Sequence, residues 1–362
     1  MAVHDNYFST DYAEAREKFG RAAAGCGLKV EAFVHPEKGP KGEELAVEVA
    51  RFGAEDAAKI MVVQSATHGV EGFCGSGVQV GLLQDGAFMK YARGVAVLFV
   101  HAINPYGFAW LSRTTHENVD LNRNFADFAK PLPENPGYDA LKDEIAPKSW
   151  TPEAIAASTK ALSAYAAKNG AMALQAALSI GQYRHADGIF YGGSAPTWSR
   201  KVLETVIAKH CRNAKKAALI DLHTGLGPYG YGEAICVVPP TDPAYARARA
   251  WYGDSVTSPE GGTSTSAAVR NHMGEGYAAM LPQAELTVVA LEYGTYSMND
   301  VMTSLRADNW LRFHGDRNSP QGQEIKKQIR RAFYPDKDDW RELVWYRGRQ
   351  VVRQGLSALA QA

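Results

Sequence analysis

Cysteine is scarce in this sequence: four in 362 residues, Cys26, Cys74, Cys211 and Cys236, widely scattered. Their spacing fits neither a CxxC motif nor a zinc ribbon, and four free thiols suit a reducing compartment. Long apolar runs are also missing. None reaches the 18 or so residues that a membrane-crossing helix needs, so no span is expected. The opening Met1-Ala2-Val3-His4-Asp5-Asn6 lacks the basic-then-apolar pattern of a secretory leader, and the expected location is the cytoplasm. Charge of one sign is not in excess: Lys+Arg and Asp+Glu stand at 39 each. A polyanionic partner is therefore not expected. The densest basic stretch, Lys326-Lys327-Gln328-Ile329-Arg330-Arg331, reads as the solvated face of a C-terminal helix, not a nucleic-acid surface.

What is present is a succession of short apolar runs separated by helical patterns. Ser9-Thr10 precede a helix that runs to about Gly25, and Leu28–His35 and Leu45–Phe52 read as strands around a turn at Pro36–Gly42. Lys59–Ser65, Gly94–His101, Ala217–Asp221 and Glu285–Leu291 are nearly continuous apolar runs, the pattern of strands covered on both faces. Helices are expected at about Gly75–Gln84 and Val202–Lys209. The alternation predicts a three-layer α/β/α sandwich around a mixed, mostly parallel sheet. One domain is expected over residues 1–362, with an Ala-rich helical insertion around 142–181 and an outer C-terminal helix around 340–359. Residues 255–276 turn rich in Gly, Ser and Thr, and a loop of that length is more often functional than idle.

Three of the four buried runs end in groups able to bind a metal or move a proton. The first runs into His68-Gly69-Val70-Glu71-Gly72, the third into Asp221-Leu222-His223, the fourth into Glu292. Ligands gather at the carboxyl ends of strands in open α/β sheets. His68, Glu71 and His223 make a three-ligand catalytic zinc set with a fourth position left for water. Asp221 is placed to hydrogen-bond the far nitrogen of an imidazole or to structure its strand end. Between the ligand segments stand Arg113 and Arg123, whose guanidinium groups can clamp a carboxylate, stabilise an oxyanion or merely pair with a surface acid.

The ordered segments HGVEG, NPYGF, Arg113, DLNRNF, DLHTG and ALEYG resemble the zinc carboxypeptidase (M14) superfamily, and within it the bacterial DUF2817 branch. The motifs span about residues 60 to 295. The resemblance implies one Zn2+ held by His68, Glu71 and His223. It also implies a polarising Arg113, a substrate carboxylate held by Asn122 and Arg123, and Glu292 as general base. Arg270, His272 and Tyr277 are candidates for further contact with substrate, since no tyrosine stands clearly where digestive members carry one over the substrate. The segment Gly181–Tyr183 through Tyr191–Gly193 also resembles the branch, without a chemical role attached.

Function follows as an expectation: hydrolysis of an amide bond beside a free carboxylate, in a small peptide or, as in aspartoacylases and succinylglutamate desuccinylases, in an N-acyl amino acid. A protein that binds metal or carboxylate without turnover is the alternative from another class, and Glu292 argues against it. No Gly-x-Ser-x-Gly elbow is present, and Cys74 at the start of a helix reads as packing. Oligomeric state is not legible.

Overall fold

The computed structural model describes residues 6–362, so the Met1–Asp5 stretch considered for a targeting signal lies outside the described residues. Seven strands form one sheet: β1 (Val30–Lys38), β2 (Glu44–Phe52), β3 (Lys59–Gln64), β4 (Ala96–His101), β5 (Lys216–Tyr229), β6 (Gly232–Ile235) and β7 (Glu285–Gly294). Their order is β1-β2-β4-β3-β5-β7-β6. The central pairs β4–β3, β3–β5 and β5–β7 are parallel, while β1, β2 and β6 close the two edges antiparallel.

The apolar central strands alternate their loyalties. Met61, Val63, Val97, Phe99, Ile220 and Leu222 face one core, and Ile60, Val62, Leu98, Val100, Leu219 and Val288 face the other. Period-two alternation with both faces covered is why these runs read as continuous hydrophobic stretches. The first face is covered by α1 (Tyr12–Gly25), α2 (Gly72–Asp85), α9 (Pro243–Tyr252) and α13 (Asp338–Gln361). The second is covered by α8 (Trp198–His210) and α10 (Met273–Met280). The three-layer arrangement agrees with the expected sandwich.

The helical insertion starts earlier than expected and comes in four pieces: α4 (Pro136–Ala140), α5 (Lys142–Ile145), α6 (Pro152–Asn169) and α7 (Ala171–Ser179). Gly170 separates the last two at φ 94°, a backbone angle other residues resist. Two further helices complete a third apolar cluster with the insertion: α11 (Met298–His314) and α12 (Pro320–Phe333). A short α3 (Pro105–Ala109) follows β4.

Two expectations are corrected here. The basic run on α12 is not uniformly solvated. Lys326 keeps only 15 % of its side chain exposed, is ion-paired to Asp308, and donates to Ser112 Oγ (3.0 Å) and to the Leu111 carbonyl (3.2 Å). The C-terminal helix is more than an outer appendage, because Trp340, Val344, Val351 and Val352 are buried in the core that covers the sheet. All four cysteines are unpaired. Among the described residues, no helix is long and apolar enough to cross a membrane.

Candidate metal centre

The parallel strands deliver their carboxyl ends to one place. After β3 the chain takes a left-handed step at Ala66 (φ 60°), and a short 3-10 turn over Gly69–Glu71 brings His68 and Glu71 to the same side. Gly69 has no substitute in this turn: a Cβ there would lie 2.0 Å from the backbone carbon of Gly107. The turn is stitched to the neighbouring loop by Gly69 N donating to the Arg113 carbonyl (3.1 Å) and Val70 N to the Ser112 carbonyl (3.0 Å). On β5, the two-residue spacing puts Asp221 and His223 on one face of the strand. The β5–β7 register sets His223 beside Glu292.

Three ligand-type groups converge. His68 Nδ1 is 2.8 Å from Glu71 Oε1, His223 Nδ1 is 3.1 Å from Glu71 Oε2, and the two Nδ1 atoms are 3.2 Å apart. One donor atom from each residue lies within 4.8 Å of the others, and all three residues are buried. The far ring nitrogens are backed by carboxylates: His223 Nε2 by Asp221 Oδ2 at 2.7 Å, and His68 Nε2 by Asp120 Oδ1 at 3.3 Å. That pattern fits a metal. A ring that ligates through Nδ1 must carry its proton on Nε2, and for His223 the Asp221 carboxylate there fixes the tautomer. Two imidazoles and a carboxylate are a donor set suited to zinc with an open position.

Electrostatics follow from burial and pairing. Burial alone would raise the Glu71 carboxyl, but the charges and hydrogen bonds of His68 and His223 hold it well below the usual carboxylate range. Burial opposes a proton on His223, and Asp221 and Glu71 outweigh it, so its affinity for a proton rises well above ordinary. Metal binding must displace that proton. Glu292 moves the other way: burial, then the nearby Glu71 charge, push its carboxyl up to about 7. Its Oε1 accepts from Leu226 N at 2.9 Å.

Arg113 reaches the same group. Its Nε donates to Asp120 Oδ2 (2.9 Å), Nη2 approaches His68 Nε2 (2.7 Å), and Nη1 lies 3.3 Å from Glu71 Oε1. Asn122 accepts from Met273 N at 2.8 Å. Arg123 donates to the carbonyls of Asn122 (2.8 Å) and Ser179 (2.6 Å), while its buried Nε has no partner. Arg113, Asn122 and Arg123 line one cavity of about 400 Å³ with His68, Glu71, His223 and Glu292.

Two expected contacts are not there. Tyr277 is fully buried and lines no part of the cavity. Its hydroxyl donates to Gln64 Oε1 (2.8 Å), and Gln64 in turn lies 3.3 Å from Asp221 Oδ1, so Tyr277 supports the strand end from behind. Arg270 is exposed and outside the cavity wall, whereas its neighbours Val269 and His272 are part of that wall. The Gly181–Gly193 segment now has a structural role. Phe190 lies under both guanidinium groups, 5.2 Å from Arg113 and 5.8 Å from Arg123. The Tyr183 hydroxyl donates to the Arg123 carbonyl (2.6 Å). Gly181 (φ 102°) leaves the space that the Arg123 side chain crosses. Asp120 and Phe190 are the functional neighbours that motif reading passed over. The acid two positions before Asn122 was the available signal for the first, and nothing in the pattern pointed to the second.

The chain belongs to the family described as "Protein of unknown function (DUF2817)", whose model matches residues 8–347. No curated protein matches it. Similar solved structures include bovine thrombin-activatable fibrinolysis inhibitor in complex with tick carboxypeptidase inhibitor (10 % identity, 97 % of this chain and 98 % of that one, TM-score 0.44). A metallo-carboxypeptidase from Burkholderia cenocepacia aligns at 13 % identity over 94 % of this chain and 70 % of that one, TM-score 0.43. An aspartoacylase family protein from Mesorhizobium loti aligns at 12 % identity over 78 % and 66 %, TM-score 0.37.

Proposed function

We propose that this protein is a zinc-dependent hydrolase of an amide bond adjacent to a free carboxylate, related in mechanism to the M14 carboxypeptidases. The observation that carries this reading is the convergence of His68, Glu71 and His223 within 4.8 Å, with Glu292 in register beside His223. When bound, the ion supplies Lewis acidity, bringing the ionisation of water from about 15.7 towards about 7. Arg123, with its unpartnered buried Nε, and Asn122 hold the substrate carboxylate. As water adds to the carbonyl carbon, Glu292 takes its proton. The charge that develops on the carbonyl oxygen is met by Arg113, whose guanidinium is pre-oriented by Asp120. The C–N bond breaks as Glu292 returns the proton to the departing amine. A carboxyl group near neutrality suits a residue that must take and return one proton.

The test uses zinc-loaded full chain against short peptides and N-acyl amino acids. Hydrolysis should vanish with chelator and return with zinc. The Glu292→Gln variant should keep its zinc by elemental analysis and lose about 10²- to 10⁴-fold in turnover. Near-normal turnover in that variant removes Glu292 from the chemistry. No hydrolysis by the zinc-loaded wild type of any substrate in the set defeats the reading.

A further inference from the structure

The cavity has two apolar walls, one on each side of the metal centre. One is the sheet face, where Leu219, Val288 and Met273 belong to the core under α8 and α10. Asn122 adjoins this wall through its hydrogen bond from Met273 N, and Arg123 bonds the end of α7, so a carboxylate held by the pair sits between the two walls. The other wall is built from the insertion and from α11: Leu174 and Leu178 of α7, Val301, Met302 and Leu305 of α11, and Phe333. Phe333 is tied to the metal side by the Thr224 hydroxyl donating to its carbonyl at 2.6 Å, while Thr224 N donates to Glu71 Oε2 at 3.1 Å. The part of a substrate beyond its scissile carbonyl therefore meets this second wall.

That wall lacks what a free peptide amino terminus requires. Among the described residues, the acids lining the cavity are Glu71, Asp221, Glu292 and Glu260. The first three serve the metal centre. Glu260 is exposed, on the loop after α9 that borders the sheet side. An ammonium group pressed against Leu174, Val301 and Met302 would lose water without gaining a carboxylate of its own, a costly exchange. A neutral apolar chain loses nothing there and gains by burial.

Resting on the hydrolase reading above, we infer that the substrate is an N-acyl amino acid whose acyl group is uncharged, apolar and of medium length, seated between α7 and α11. Water adds across the amide, releasing a fatty carboxylate and the free amino acid.

Zinc-loaded protein is assayed on acetyl-, butanoyl-, hexanoyl- and octanoyl-leucine beside alanyl-leucine and leucyl-leucine. Specificity (kcat/KM) should rise about three- to fourfold per methylene until the cavity is filled, and the free-amine dipeptides should lag their acyl counterparts by about 100-fold. Leu174→Asp and Met302→Asp should each collapse the preference for octanoyl-leucine over acetyl-leucine, read as the ratio of the two kcat/KM values. Dipeptides cleaved as well as acyl substrates would overturn the inference and leave the hydrolase standing. Binding to metal-free protein, by calorimetry, is the independent arm: octanoyl-leucine should bind more tightly than acetyl-leucine or leucyl-leucine. Equal binding of the three sinks the inference whatever the turnover.

Discussion

Asp120 is a single carboxylate with three duties. It accepts from Arg113 Nε and from Asn122 N, and it faces His68 Nε2, all while wholly buried. Burial alone would raise its carboxyl, but Arg113, His68 and Arg123 hold it well below the ordinary range. Asp120→Asn keeps the shape and removes the charge that balances two guanidinium groups beside His68. Zinc affinity is expected to fall about 10- to 100-fold, measured by competition against a chromogenic chelator. Unchanged affinity would show that Asp120 merely fills space. Asp221, the equivalent partner of His223, was readable because it lies two positions away on the same strand. Asp120 was not, because its imidazole sits on a different strand end, and only the β3–β4 pairing and the following loops bring the two together.

At the scale of elements, the half-buried Lys326 of α12 explains how the site is braced. Its ammonium ties down Leu111 and Ser112, where Leu111 holds a left-handed backbone (φ 51°). The carbonyls of Ser112 and Arg113 in turn receive the amides of the turn bearing His68 and Glu71. Lys326→Met leaves the buried Asp308 carboxylate without its ion-pair partner and is expected to cost about 3–5 kcal/mol in urea unfolding, with much of the loss recovered when Asp308 is also made apolar. A loss under 1 kcal/mol would contradict this. The same chemistry shows why α11 escaped sequence reading. α11 buries Ser304, Arg306, Asp308 and Asn309 beside its leucines, which breaks the apolar stripe by which a helix is recognised. The central strands had no such interruption: β3 and β4 end within a residue of the expected ends, while β5 and β7 run on to Tyr229 and Gly294, past the expected Asp221 and Leu291, and carry His223 and Glu292 within them. The loop between α9 and α10 was legible as a loop from its Gly and Ser content, but which of its side chains face inward depends on packing that no local pattern encodes. Arg270, expected at the substrate, accordingly lies outside the cavity wall.

For the whole molecule, acid sensitivity follows from a histidine unconnected with the metal centre. His101, at the end of β4, is fully buried, stacked on Phe19 at 4.4 Å, with Nε2 2.9 Å from Ser76 Oγ. Burial, aided by the charge of Arg16, lowers its pKa to about 3. The unfolded chain takes this proton near 6.5, so stability is present above that value and drains away as pH falls towards 3. The contribution has a slope of about 1.36 kcal/mol per pH unit within that window. His101→Gln should flatten the dependence of unfolding free energy on pH between 6.5 and 4. Parallel curves for variant and wild type would exclude His101 as the source. A last consequence concerns the bond from Arg123 to the final carbonyl of α7. The guanidinium carries five N–H groups, and one of them already holds that helix end. A carboxylate that recruits the others leaves Ser179 bound, so a filled pocket and an anchored ceiling support each other.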